Sequence, residues 1–237
     1  MQRIILSSLF LFTVLAGFAQ EKVINDPNAE ERSVGSFSSI EMRDGIDLFL
    51  SYGEEAKVLV SGATQTDRDK IKTVVQNGVL KIYTEGGPIK ISTRDKKLKA
   101  YIAVRSLEGL SATFGSDVSI SGTLRAEKLD IKLSGGSDLD GRLAVQYLNL
   151  KISGGSDARI KGQVESFSLQ ASGGSDLKGF DLVCDKASVS CTGGSDVQLT
   201  VNGELNVEAR GGSDVEYKGQ GHINKSTTSG SSIRKRA

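Results

Sequence analysis

The chain has 237 residues, with 28 Gly, only 2 Pro, no Trp and 38% apolar residues. It is too apolar for disorder, lacks the triplet period of collagen, and is long enough for a sizeable core. Thirty basic residues meet 29 acidic ones, and Arg3 is the only charge in the first nineteen, so the remainder balances at zero; a nucleic-acid binder needs a basic surplus that is missing here.

The first twenty residues read MQRIILSSLFLFTVLAGFAQ. Arg3 supplies a positive start, an apolar stretch runs from Ile4 to Leu15, and Gly17-Phe18-Ala19 offers small residues before Gln20. These are the parts of a cleavable secretory signal over residues 1–19, with 20–35 as a linker. No Cys follows the apolar run, which disfavours a lipid anchor, and no second long apolar run predicts a membrane-spanning helix. The expectation is an exported protein of the periplasm, cell envelope or extracellular space.

Residues 36–42, 46–51, 57–61, 79–84 and 98–105 read as strands, with Gly45, Gly53 and Asn77-Gly78 at turns. The stretch 66–75 (TDRDKIKTVV) suggests one short helix capped by Thr66 or Asp67. No 19-residue period shows between 36 and 105, which predicts a strand-rich starting portion there that covers the first rung of a solenoid beginning near residue 106. An open solenoid end is an aggregation edge and needs such a cover.

From residue 106 the chain repeats. FGSD at 114–117 is followed by GGSD at 135–138, 154–157, 173–176, 193–196 and 211–214, then SGSS at 229–232. Successive origins lie 21, 19, 19, 20, 18 and 18 residues apart. Upstream of each corner, apolar and polar residues alternate: Leu129, Ile131 and Leu133 become Leu148, Leu150 and Ile152, then Phe167, Leu169 and Ala171. Strict alternation marks strands with one buried face. A second Gly (Gly122, Gly141, Gly162, Gly179, Gly203, Gly219) drifts by a few places and reads as a looser corner. Short strands of this kind bury their inner faces only by stacking on copies of themselves, each rung adding about 4.8 Å. The prediction is an all-β fold, a right-handed parallel β-helix of about 19-residue rungs, with 36–237 as one domain. A propeller blade needs a period of about 40 and is excluded. At the far end Arg234, Lys235 and Arg236 either blunt the last edge or form a disordered basic tail.

The segments SFSSIEMRDGIDLFLSYGEEAKVLVSG, NGVLKIYT and LKAYIAVRSLEGLSATFGSDVSISG, with the GGSD rungs after them, resemble the auto-transporter adhesin family with a head GIN domain, exported bacterial proteins. Where the family name stands for Gly-Ile-Asn, this chain has Gly45-Ile46-Asp47. The resemblance implies a right-handed β-helix with a strand-rich N-terminal part, and an adhesin-like role without catalytic residues to carry over.

Candidate chemistry is confined to the corners. By parity the Ser before each origin faces inward and the Asp outward, stacking Asp117, Asp138, Asp157, Asp176, Asp196 and Asp214 in one column. Neighbours about 5 Å apart repel by about 1 kcal/mol in water, so the column needs relief. Hydrogen bonds at each corner, as in Asx and Ser/Thr turns, provide one route; Ca²⁺ held by the column provides another, with a ligand groove as a third. A polysaccharide-cleaving site would need one exceptional rung, and only Arg210 departs from Ser or Thr before its corner. The reading is a non-catalytic surface or structural module with a glycan or protein partner, with no cofactor unless Ca²⁺. Cys184 and Cys191 are too few for a disulfide scaffold and read as small buried thiols, Cys191 on the inward alternation; export permits a disulfide across the rung, but the opposite parity of the two positions counts against its geometry. His222, the one His, reads as a surface residue and by itself excludes multi-His metal clusters.

Overall fold

A computed structural model describes residues 25–86, 98–228 and 230–237; the proposed export signal lies outside the described residues. In chain order the elements are β1 (Glu30–Glu31), β2 (Ser39–Met42), β3 (Asp47–Tyr52), β4 (Lys57–Ser61), α1 (Gln65–Asp69), β5 (Ile71–Gln76), β6 (Val79–Thr84), β7 (Lys99–Val104) and β8 (Gly109–Thr113). The long strands are β9 (Val118–Ser134), β10 (Leu139–Ser153), β11 (Asp157–Ser172), β12 (Asp176–Thr192) and β13 (Asp196–Ala209). Then come β14 (Asp214–Lys218), β15 (His222–Thr227) and β16 (Ser232–Lys235).

Each strand from β9 to β13 is one rung, and consecutive rungs pair in parallel along most of their length. The result is an all-β solenoid of about seven turns with rungs of about 19 residues. Alternation does the building, because every second residue lands in a column shared with the rung above. Leu80, Ile40, Leu110, Ile131, Leu150, Leu169, Val189 and Val207 form one such column, and all are buried.

Two consecutive glycines make the tight corner. The first has φ between +65° and +70° and the second between +69° and +80° in every rung from Gly135 to Gly212. Two left-handed residues in succession reverse the chain at little cost only when both lack a Cβ. The first position also stacks closely, since a Cβ on Gly154 would lie 3.3 Å from the Gly135 nitrogen. Phe114 is the exception, with φ +57° and 65% exposure. A bulky side chain in this region costs about 1–2 kcal/mol. Phe114→Gly is therefore expected to raise the melting temperature by roughly 2–4 °C per kcal/mol recovered. An unchanged or lower value in thermal denaturation would show that the ring repays its strain by lying against Gly135.

Gly122, Gly141, Gly162 and Gly179 differ from their sequence reading: they sit at bulges, where the register slips between Asp140 and Arg142, Arg159 and Gly162, and Gly179 and Val183, whereas Gly203 lies at the looser corner as read, against the Asp185 backbone. The looser corner comes later, at a residue the ladder skips, such as Gln146, Glu165 or Asp185. That corner also corrects the parity read for Cys184, while both cysteines are buried thiols as the sequence reading has them. Asp185 and Lys186 are both exposed, which resets the alternation, so Cys184 and Cys191 both point inward as free, buried thiols. Burial pushes both thiols up to about 12, with Asp185 adding to Cys184 and Asp196 to Cys191.

The N-terminal part is not a cover over the first rung; two of its strand pairs are rungs themselves. β2 lies between β6 and β8, and β3 between β7 and β9, all parallel. The rung that comes first in the chain is thus second in space. Beyond it the end is closed by antiparallel strands, β5 on β6, β4 on β7 and β1 on β4. β1 draws part of the stretch read as a linker into the sheet. The helix is shorter and earlier than its sequence reading: Thr64 is its N-cap and accepts the Asp67 N–H at 3.1 Å. Ile71, Thr73, Val74 and Val75 are β-branched and continue instead as a strand. Asn77 (φ +52°) and Gly78 (φ +75°) turn that strand into β6, as a two-residue hairpin loop requires. At the other end the IRKRA tail is ordered, since β16 pairs with β14.

Candidate functional site: the Gly-Ser-Asp ladder

The corner glycines deliver a Ser to the inside and an Asp to the outside of each rung. Ser116, Ser137, Ser156, Ser175, Ser195 and Ser213 are fully buried. Their hydroxyl oxygens form a ladder along the axis. The Ile46 N–H donates to Ser116 Oγ at 3.2 Å, and the Ser116, Ser137, Ser156, Ser175 and Ser195 N–H groups each donate to the next serine at 3.0–3.4 Å. Ser195 and Ser213 donate their own protons to the Thr192 and Arg210 carbonyls. A polar column inside an apolar core is tolerable because these groups are paired. The same pairing shuts the hydroxyls away from any substrate.

The aspartates line up as parity predicts, but their relief comes from the neighbouring rung. The Asp138 N–H donates to Asp117 Oδ1 at 3.0 Å, Asp157 N–H to Asp138 Oδ1 at 3.2 Å, and Asp196 N–H to Asp176 Oδ1 at 3.3 Å. The corner-local Asx bonding expected from sequence is replaced by bonding between rungs. At the far end the Ser232 hydroxyl donates to Asp214 Oδ1 at 2.7 Å.

One member of the column escaped sequence reasoning. Asp47 precedes Leu48, which pairs with Val118, so Asp47 sits directly beyond Asp117 and is itself paired with Lys99. Its signal was present, because Gly45-Ile46-Asp47 has the spacing of Gly-Ser-Asp with Ile in place of the inward Ser. Burial and the Asp117 charge raise the Asp47 carboxyl, while the Asp117 N–H and Lys99 oppose the rise. Asp196 is raised as well, by burial and then by Asp176 and Asp214. A carboxyl raised by folding weakens the fold when ionised. Stability from these two therefore grows as pH falls through their folded values toward the ordinary aspartate value of 3.8.

Among the described residues, no three or more His, Cys, Asp or Glu side chains are grouped to hold a metal ion. Two surface recesses lie away from the column. One is lined by Glu41, Lys81 and Arg43, with the Arg43 guanidinium 4.9 Å above the Tyr83 ring. The other is a shallow depression over Ser188, Ser190, Asn206 and Glu208. Arg210, the departure noted in sequence, pairs with Glu208 on the surface, and His222 is exposed.

The repeat and the strand set before it match a family model described as "Putative auto-transporter adhesin, head GIN domain" over residues 36–221. The chain belongs to this family. Nothing among curated proteins matches it. A crystal structure named as an adhesin from Bacteroides fragilis is 20% identical, with a TM-score of 0.79 over 88% of this chain and 96% of its own. An adhesin from Parabacteroides merdae is 14% identical, with a TM-score of 0.71 over 88% and 95%. A Parabacteroides distasonis structure named as a lipid-binding protein is 19% identical, with a TM-score of 0.68 over 90% and 98%. At these identities the likeness establishes the solenoid fold. In this head GIN domain the corner that carries the family name is a rung corner like the others, with Ile46 completely buried at the serine position.

Proposed function

We propose that the protein is a non-catalytic, exported surface module of the cell envelope whose long, regular faces hold a glycan or protein partner. In this reading residues 1–19 direct export and 36–237 form the binding domain, to which β1 from the stretch 20–35 adds an edge strand. Among the described residues no helix is long and apolar enough to cross a membrane. The observation that carries the reading is the equivalence of the rungs. Their serines are buried in the ladder, and the Asp117, Asp138 and Asp176 carboxylates accept the N–H of the next rung. An active site is a local exception to a repeat, and the corners supply the same groups at each level.

The competing reading uses the column Asp117, Asp138, Asp157, Asp176, Asp196 and Asp214 to hold Ca²⁺ or to cleave a polysaccharide. Thermal denaturation with and without chelator separates the two, together with a polysaccharide turnover screen. The expected result is an unchanged melting temperature and no turnover. A ligand bound only by the folded state adds about 2.7 kcal/mol at a hundredfold excess over its Kd, so bound Ca²⁺ would appear as a drop of several degrees on chelation. Such a drop, absent in an Asp138→Asn/Asp157→Asn/Asp176→Asn variant, would overturn the passive column; turnover lost on a single Asp substitution would overturn the non-catalytic reading.

A further inference from the structure

The last rung breaks a rule that the earlier rungs keep. The buried column Ile131, Leu150, Leu169, Val189, Val207 continues in register to Lys225. A second inward column passes from Leu199 through Tyr217 to Lys235, and a third from Ala209 to Thr227. Lys225, Thr227 and Lys235 are all exposed, and among the described residues no further rung lies over them. β15 pairs only with β13 and β16 only with β14 among the described residues, so their outer edges carry open backbone groups. Such an edge is a template for another chain.

Charge is concentrated at the same end. Residues 215–237 contain Lys218, Lys225, Arg234, Lys235 and Arg236 against Glu216 alone, five minus one, or +4, in a chain whose total is +1. Two copies meeting through this end would set +4 against +4. They would also have to bring Lys225 and Lys235 out of water at the ends of two inward columns, one running through Val189 and Val207 and the other through Leu199 and Tyr217 in the rungs below. An ammonium group desolvated without a partner opposes association strongly. The opposite end is handled differently, by the antiparallel strands β5, β4 and β1.

We infer that Lys225 and Lys235 are a built-in stop that keeps the open end of the solenoid from docking on a second copy of the chain. Their aliphatic stems still cover the rung below, as lysine stems do on apolar surfaces, while the ammonium groups reject a rung above. The location in the core columns matters more than the charge alone.

The test compares three proteins by sedimentation velocity across a concentration series, with circular dichroism as the check on folding. Wild type is expected to be monomeric. K225V/K235L, which restores apolar residues to the two columns, is expected to shift to dimers or larger species as concentration rises. K161V/K178L, which removes two lysines from the outward face of earlier rungs, is expected to stay monomeric. If K225V/K235L does not fold, K225A/K235A replaces it, since it removes both charges without adding bulk. A folded core-column variant that stays monomeric overturns the inference. So does a wild type that already associates through this end, or an outward-lysine variant that associates equally.

Discussion

Gly162→Ala should cost more stability than any other single-methyl addition in the middle rungs, on the order of 4 kcal/mol or more, a fall of roughly 10 °C in melting temperature. Gly162 lies at a bulge with φ +119°, and a Cβ there would sit well under 3.0 Å from the Leu143 carbonyl oxygen. That oxygen belongs to the backbone of the rung below, so no side-chain rotation relieves the contact. Gly155→Ala is the internal comparison. It is also left-handed, at φ +72°, but a Cβ there meets nothing within 4 Å, so only the conformational penalty of about 1–2 kcal/mol applies. Denaturant unfolding of both variants measures the difference. Equal losses would mean that strain at the corners, rather than close stacking at the bulge, limits these positions.

Removing one rung of the serine ladder is the second large effect. In Ser156→Ala the buried Ser137 N–H loses its acceptor at 3.0 Å, and the alanine methyl offers none in return. A buried donor left unpaired costs about 1–3 kcal/mol. Water has no route to repair it, because Ser156 is fully buried between Ser137 and Ser175. The outward neighbour behaves differently: Asp138→Asn keeps an amide oxygen for the Asp157 N–H and removes repulsion in the column, so its expected change is within about 0.5 kcal/mol. A loss for Asp138→Asn as large as that for Ser156→Ala would place the stabilising role on the carboxylates instead. Thermal melts of the two variants at neutral pH suffice.

The rungs from β9 onward were legible because each signal there is local. Leu129, Ile131 and Leu133 alternate within one strand, and Gly135-Gly136 punctuate it a few residues later. Parity alone then placed Ser137 inside and Asp138 outside. Lys99 was not legible as a member of the column, since its neighbour in space, Asp47, lies 52 residues away in the chain; Asp47 was legible only through the Gly-x-Asp spacing of its corner, because Ile46 stands where the other corners have Ser. Parity failed for Cys184 because two exposed residues at the loose corner shift the phase, and no Gly marks that corner. The helix was misplaced for a related reason: in TDRDKIKTVV the charged half and the β-branched half belong to different elements, and the decisive signal is Asn77-Gly78, just beyond that segment.

The placement of β2 and β3 between later strands governs the order in which the molecule can come together. As the chain emerges from the ribosome, the Ser39–Tyr52 segment appears first, yet its two sheet partners on one side are β6 and β7, and on the other β8 and β9. Neither long edge of that segment can close until Val79 to Val104 has arrived, and the second stays open until the chain has passed Ser121. The later rungs carry no such constraint, since each of β10 to β13 pairs with the strand just before it in the chain. The molecule is thus divided into a first part whose pairing is complete only when the chain through Ser121 is present and a run of rungs that can pair as they are made, so a truncation ending before β9 leaves β3 without one of its two partners.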